Sequence, residues 1–322
     1  MKRALVTGIT GQDGAYLAQL LLQKGYQVFG LLPRRGERSL AGLKYLGILG
    51  EVEMVDGDIT DLSSLVRALR TSRPQEVYNL AAQSFVGTSW TQPLLTAEVT
   101  AIGCLKILEA IRLQEEEPKF YQASTSEMYG MIRTPIQDET TPFHPRSPYG
   151  FSKLFAHWAT INYRESFGMF ACTGILFNHE SPLRGLEFVT RKITDAAARI
   201  KLGKLQKLEL GNLEAKRDWG FAGDYVRGIW LIMQQETPGD FVLATGETRS
   251  VNEVCRVAFE SLELDFHRYV VSDPGRLRPA EVDLLQGSPA KAKKILGWQP
   301  EVGFEEMIEM MVQADLARVR AE

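Results

Sequence analysis

Short apolar runs alternate with longer amphipathic stretches through the first half of the chain. RALVTGI (3–9), YQVFGLL (26–32), VEMVDGD (52–58), EVYNLAA (76–82), KFYQAST (119–125) and FACTGILF (170–177) have the length and composition of buried strands. Between them, apolar residues recur at helical spacing over 15–25, 61–72, the stretch from Val99 to Arg112, and 152–168. Gly25 marks one helix end, and Asp61 is a plausible N-cap. Strands that alternate with helices pair in parallel through right-handed crossovers. The pattern therefore predicts an α/β fold with a doubly wound parallel sheet of the Rossmann-like kind.

After Phe177 the pattern changes. Residues 178–239 read as helix and loop, with a helix from Val189 to Lys201, and 250–322 read as helix and polar loop. FVLATG (241–246) reads as a strand that returns to the sheet. The expected organisation is a nucleotide domain over 1–177, joined by 241–246, and a smaller, partly interleaved C-terminal substrate domain over 178–240 and 247–322. A cleft between two such parts is a common ligand site.

Composition narrows the function classes. A chain of 322 residues, 44% hydrophobic and 24% charged, has enough apolar material for a large core. A net charge of −3 offers no basic field for nucleic acid. Cys104, Cys172 and Cys255 are far apart and the four histidines lack ligand spacing, so neither a disulfide framework nor a metal site is expected. No apolar run approaches bilayer length. Glycines and Asp13 interrupt the basic start MKRALVTGITGQDG at once, so it reads as mature sequence of a cytoplasmic protein.

The first chemical signal is TGITGQDG, directly between the first strand and the first helix. Gly8, Gly11 and Gly14 let the backbone approach a pyrophosphate at a helix N-terminus, with Thr10, Gln12 and Asp13 in the same turn. The second strand ends in LLPRRGER, where an NAD binder usually carries an acid for the ribose hydroxyls. Arg34 and Arg35 stand there instead, and guanidinium groups suit a 2′-phosphate, so NADP is the expected cofactor. Asp58 and Ile59 are placed to contact adenine. Leu80, Ala81, Ala82, Gln83 and Ser84 follow the fourth strand, where a cofactor can lie close to the backbone.

The second signal is SPYGFSK. Tyr149 and Lys153 are four residues apart at a helix entry and share a face. A phenol needs help to act as a base near neutrality, and a neighbouring ammonium favours phenolate. The third is ASTSEMYG (123–130), where one carboxylate, Glu127, stands among Ser124, Thr125 and Ser126 at a strand end. His144 and His157 read as packing or surface residues, and Trp219 and Phe221 as core or pocket wall.

With TGITGQDG, NLAAQS, YQASTSEMYG, PRSPYGFSK, GILFNHESPLRG, FVTRKI, LGNLEAKRDWG and RPAEVD in order, the chain resembles the GDP-mannose 4,6-dehydratase family of the extended short-chain dehydrogenase/reductase superfamily, from Lys2 to about Leu316. The glycine turn and YxxxK identify only the superfamily; STSE, FNHESP and AKRDWG together are far more specific. The resemblance implies that Thr125, Glu127, Tyr149 and Lys153 are catalytic. It implies a conversion of GDP-mannose to GDP-4-keto-6-deoxymannose with recycled NADP. It places Asn178 at the sugar nucleotide's phosphates, with Ser84 and Lys192 also on the substrate and His179 and Arg184 nearer the cofactor. Arg217 and Arg278 look like diphosphate-binding arginines, and Glu281 resembles a ribose-binding acid. A homodimer or homotetramer is implied as well.

Two segments depart from the family pattern. GERSLAGLKYL follows the paired arginines where many members are serine-rich, leaving Ser39 as its only serine or threonine hydroxyl, and His267 to Arg278 is short. Rival readings are a dehydratase for a related sugar nucleotide such as a GDP-heptose, a reductase or epimerase of the superfamily, and a non-catalytic NADP sensor. A reductase needs the tyrosine and lysine but no Glu127, and a sensor needs none of the proton-transfer groups.

Overall fold

The computed structural model describes residues 1–33, 39–273 and 284–322. Seven strands form one sheet: β1 (Arg3–Thr7), β2 (Gln27–Leu32), β3 (Val52–Asp56), β4 (Glu76–Asn79), β5 (Lys119–Thr125), β6 (Ala171–Leu176) and, after β7 (Asn178–Glu180), β8 (Leu208–Leu210), β9 (Lys216–Arg217) and β10 (Trp219–Phe221) outside it, β11 (Asp240–Leu243). Their spatial order is β11-β6-β5-β4-β1-β2-β3, and every neighbouring pair is parallel. The chain leaves β1 toward β2 and β3, then crosses to β4 on the other side. That reversal opens a crevice beyond the carboxyl ends of β1 and β4, where ligands of such sheets bind.

Helices cover both faces of the sheet. Gln12–Gln23 and Ala222–Met233 bury Leu17, Leu21, Ile229 and Ile232 on one face. Leu62–Ser72, Gly103–Arg112 and Pro148–Phe167 bury Leu65, Leu69, Ile107, Ile111 and Ala156 on the other. A separate core gathers Val189–Lys201, Val251–Glu260 and Phe304–Ala321 around Ile193, Val254, Phe259, Met311 and Val312, away from the sheet. The first six strands, the Asp61 cap (its Oδ1 accepts from Ser63 N at 3.0 Å) and the return of a strand near 241 follow the sequence pattern.

Three details differ from the sequence reading. The first helix begins at Gln12, not at residue 15, because Gly14 packs inside its first turn: a Cβ there would lie 2.3 Å from Gly8 O. The long helix begins at Pro148, capped by Ser147 Oγ accepting from Gly150 N at 3.0 Å, so Tyr149 lies within its first turn. Residues 178–239 carry short strands as well as helices: β7 (Asn178–Glu180), β8 (Leu208–Leu210), β9 (Lys216–Arg217) and β10 (Trp219–Phe221). Strands of two or three residues are too short to show a period of two.

Candidate active site

A cleft of about 1010 Å³ runs along the carboxyl ends of β1, β4, β5 and β6 and continues past β7 toward β8 and β9. At its β1 end, Gly8 has φ +69°, and a Cβ there would lie 2.8 Å from Ala81 N and Leu80 C. Only glycine lets the first turn nest against the chain leaving β4. Gly11 is the N-cap of Gln12–Gln23 and supplies no side-chain cap, so the first N–H groups of that helix are directed at the cleft. This cradle fits a pyrophosphate, and Asp58, Ile59, Leu80, Ala81, Ala82 and Ser84 extend the same wall, as do Gly14 and Thr10. Asp58 Oδ1 is engaged by Thr60 N at 2.8 Å and Thr60 Oγ1 at 2.7 Å. Gln83 is outside the cleft lining; its Oε1 accepts from Thr96 Oγ1 at 3.1 Å and its Nε2 donates to Phe85 O at 3.2 Å.

β5 and the helix Pro148–Phe167 bring the four candidate catalytic residues into this cleft. Thr125 ends β5, and its Oγ1 accepts from Glu127 N at 3.3 Å, turning the chain so that Glu127 sits half-buried at the wall. Lys153 Nζ is buried and donates to Ala123 O at 2.7 Å, 5.9 Å from the Tyr149 ring centre. Burial draws the Lys153 ammonium down to about 8, with Cys104 and Asp13 opposing. Burial pushes the Tyr149 phenol well up, and the Thr125 side chain offsets this in part as a hydrogen-bond partner. Burial thus works against the phenolate, while the Thr125 hydrogen bond and the Arg184 charge work for it.

Behind these residues runs a buried polar chain. Thr7 Oγ1 donates to Asn79 Oδ1 at 2.6 Å, Asn79 Nδ2 to Gln122 Oε1 at 2.7 Å, and Gln122 Nε2 to Ala123 O at 2.9 Å, the same carbonyl that Lys153 holds. The sequence reading passed over Asn79 and Gln122. Their signal is a polar residue directly after a short apolar run within the strand, VYN in β4 and FYQ in β5.

The opposite wall is the segment after β6. Asn178, His179 and Arg184 line the cleft, with Lys192 and Arg217 farther along it. His179 Nε2 lies 2.9 Å from Asp13 Oδ2, its Nδ1 lies 2.7 Å from Phe177 O, and its ring stacks on Tyr225 at 4.6 Å. Burial opposes ionisation of both partners, yet their mutual attraction prevails: Asp13 is held down to about 2 and His179 is raised. Gln12 completes the tie, accepting from Ser181 Oγ at 2.7 Å and donating to His179 O at 3.1 Å. Gln12 and Asp13 thus spend their side chains on the facing loop. Arg184 pairs with buried Glu180 at 3.0 Å and lies 3.5 Å over the Phe188 ring, which meets Phe85 edge-on from the first wall. Trp219 lines the cleft and stacks on Phe304, whereas Phe221 packs edge-on against Tyr16.

Beneath Arg217, the buried Asp218 accepts from Thr245 N at 2.8 Å, Thr245 Oγ1 at 2.7 Å and Gly246 N at 2.9 Å. Arg34, Arg35, Arg278 and Glu281 lie outside the described residues. No cluster of three or more potential metal ligands occurs among the described residues, and no helix among them is long and apolar enough to cross a membrane.

The comparisons with known proteins agree with this geometry. Residues 5–311 match the family model described as GDP-mannose 4,6 dehydratase. GDP-mannose 4,6 dehydratase 2 of Arabidopsis thaliana is 53% identical, over 100% of this chain and 88% of its own length. GDP-mannose 4,6-dehydratase of Yersinia enterocolitica is 47% identical, over 99% of this chain and 95% of its own. Among solved structures, UDP-glucose 4-epimerase of Thermotoga maritima with UDP-glucose superposes with a TM-score of 0.86 at 25% identity, covering 99% of each chain. RMD of Pseudomonas aeruginosa with NADPH superposes at 0.82 with 22% identity, covering 98% of this chain and all of that one, a likeness of fold. A match over nearly the whole length, together with a cleft that unites Thr125, Glu127, Tyr149 and Lys153, means that this chain belongs to the GDP-mannose 4,6-dehydratase family.

Proposed function

We propose that this chain is a hydro-lyase that converts GDP-mannose to GDP-4-keto-6-deoxymannose. The observation that carries the reading is Glu127 in the same cleft as Thr125, Tyr149 and Lys153. A simple sugar-nucleotide dehydrogenase needs no carboxylate there. A dehydratase does, because the C5 hydrogen of a hexose becomes acidic only once C4 is a ketone. Tyr149 removes the C4 hydroxyl proton, and Thr125 hydrogen-bonds the C4 oxygen. Glu127 then takes the C5 proton and protonates the departing C6 hydroxyl, and a proton returns to C5. A nicotinamide cofactor with its pyrophosphate at the glycine turn would supply hydride acceptance at C4 and return at C6, so the reaction involves no net redox change.

The cofactor reading is NADP. Arg34 and Arg35 in place of an acid support it, and Arg35→Glu should weaken NADP binding more than NAD binding; equal losses would refute it. Gly8, Gly11 and Gly14 hold the pyrophosphate, and Lys153 the nicotinamide ribose. Asn178, Arg217 and Arg278 bind the GDP phosphates, with Ser84 and Lys192 also on the substrate and Glu281 on the ribose. The chain divides into the nucleotide domain over 1–177, joined by its returning strand, and the sugar-nucleotide domain over the remainder. Self-association is supported by an apolar row on the outer face of Pro148–Phe167: Phe151, Phe155 and Trp158 are about half-exposed, beside exposed Trp90 and Leu94. Phe155→Glu should then shift the sedimentation coefficient toward that of a single chain.

The deciding experiment is mass spectrometry of GDP-mannose incubated with the enzyme and catalytic NADP, with absorbance reporting NADPH. Loss of one water without NADPH accumulation is expected. Stoichiometric NADPH would mean a dehydrogenase, and unchanged GDP-mannose a different sugar nucleotide.

A further inference from the structure

Past Gln122, β5 loses its neighbour on one side. Its register with β4 ends at the Asn79–Gln122 pair, whereas its register with β6 continues through Ala123, Ser124 and Thr125. The last three residues of the strand therefore project beside the cleft with a strand along one edge only. Besides the Gln122 Nε2 bond to Ala123 O, their side restraints come from the helix Pro148–Phe167, at four-residue spacing along one face. Tyr149 interacts with the Thr125 hydroxyl, Lys153 Nζ donates to Ala123 O at 2.7 Å, and His157 Nδ1 lies 2.9 Å from Ser124 Oγ. Two of these three contacts involve residues with a part in the proposed chemistry. The third does not.

His157 is buried, between the Phe143 ring at 5.3 Å and the Trp158 ring at 5.9 Å, both edge-on. Burial holds its imidazole down to about 4, with Asp240 opposing and Arg164 reinforcing the shift. It is a neutral ring with one N–H and one lone pair, able to hold a hydroxyl in either sense. Ser124 is buried as well, and His157 is the one hydrogen-bond partner of its hydroxyl among the described residues. The next residue along is Thr125, and two beyond that Glu127 hangs from Thr125 Oγ1. Whatever fixes Ser124 fixes both.

We infer that His157 is a positioning residue, which through Ser124 sets Thr125 and Glu127 at the right distance from Tyr149. The inference rests on the reading of Thr125, Glu127 and Tyr149 as the proton-transfer groups. A misplacement of about 1 Å is enough to cost up to 10²-fold in rate. A residue that only fills the core would affect stability and leave the chemical step alone.

The test compares Ser124→Ala, His157→Leu, His157→Gln and the double variant Ser124→Ala/His157→Leu, on enzyme loaded with nicotinamide cofactor. It reads kcat, KM for GDP-mannose, Tm, and the isotope effect with GDP-mannose deuterated at C4. Ser124→Ala and His157→Leu should each lower kcat by about tenfold with KM within about twofold, and the double variant should be no worse than either. The isotope effect should rise, because a misaligned Tyr149–Thr125 pair makes oxidation at C4 slower. His157→Gln, which keeps a donor and an acceptor, should recover most of kcat. Lower Tm with unchanged kcat and isotope effect would overturn the inference, as would losses that multiply in the double variant. Should His157→Leu fail to fold, Ser124→Ala decides alone. Tyr149→Phe and Thr125→Val separate the two failures: if they too turn over normally, the reading of the site is wrong, and if they are dead while Ser124→Ala is normal, only the role of His157 falls.

Discussion

On one wall of the cleft, Lys153 meets a backbone carbonyl and His157 meets a neutral hydroxyl. On the other, His179 meets Asp13, Arg184 meets Glu180, and Arg191 meets Asp315. The first wall is strand and helix, tied by neutral groups or by one charge on the main chain. The second is a short strand and loop tied by charge pairs, two of which join residues more than a hundred positions apart. Neutral ties to rigid elements keep a geometry over a wide pH range. Charge pairs hold a loop whose backbone has little ladder of its own, and they titrate. The difference matches the division of labour in the proposed reaction: proton transfer needs fixed distances, whereas holding a diphosphate needs charge. Substitutions on the first wall should therefore act on kcat, and those on the second on KM, stability and pH dependence.

The largest effect is expected at Glu127. Glu127→Gln keeps the shape and removes the base, so turnover should fall by about 10³ while GDP-mannose binding by calorimetry stays within a few-fold. Near-normal turnover would remove the distinction between dehydratase and dehydrogenase. Lys153→Met should lower kcat by about 10² and weaken nicotinamide binding, measured by fluorescence titration. Burial sets the Lys153 ammonium near 8, so wild-type kcat should decline above about pH 8 as the charge that supports Tyr149 is lost. A flat profile to pH 9.5 would assign that support elsewhere.

Asp315 tests the second wall. It is buried on Phe304–Ala321 and accepts from Arg191 Nε at 2.7 Å, Thr194 Oγ1 at 2.7 Å and Arg318 Nη1 at 2.8 Å. Arg191 and Arg318 in turn donate to Arg184 O and Pro182 O, both at 2.6 Å, and so anchor the loop behind the cleft. Asp315→Ala leaves two arginines without their carboxylate and should cost about 3 kcal/mol in urea unfolding. Its KM for GDP-mannose should rise more than its kcat falls. The reverse would mean that the loop governs the chemical step, and the contrast between the walls would fail.

How much of this was legible in the sequence follows the same division. The parallel sheet, the glycine turn and the pairing of Tyr149 with Lys153 come from periodicity and local spacing, and the structure places all three as that pattern predicts. Glu127 stands out as a carboxylate among hydroxyls at a strand end, but only the family resemblance implies its role. The ties of the second wall are not. Asp13 and His179 are 166 residues apart, and Arg191 and Asp315 are 124 apart; no spacing rule links residues that the fold alone brings together. A lone histidine on a helix carries no local sign of its partner, so the sequence alone gives His157 only a packing or surface place. The three-residue strands β7, β8 and β10 escape for a different reason, being shorter than the period that would reveal them.

The smallest expected effect, and the one that separates the walls most sharply, is the pH dependence of the His179–Asp13 tie. His179 is raised above its ordinary 6.5, so its contribution to stability is fully present below pH 6.5 and is lost as pH rises through the raised value. Asp13 is lowered from 3.8 to about 2, so its contribution is present above about pH 4 and is lost as pH falls toward 2. The pair therefore contributes in full between about pH 4 and 6.5. His179→Gln keeps a polar group against Asp13 but removes the charge. Its Tm should lie below that of the wild-type chain at pH 6, and the gap should narrow as pH rises through the raised value and the wild-type imidazole loses its proton. Ser124→Ala, on the neutral wall, should show a Tm difference that does not change over the same range. Parallel pH curves for His179→Gln and wild type would mean that the tie between the glycine turn and the facing loop is a neutral hydrogen bond, and the two walls would then be held in the same way.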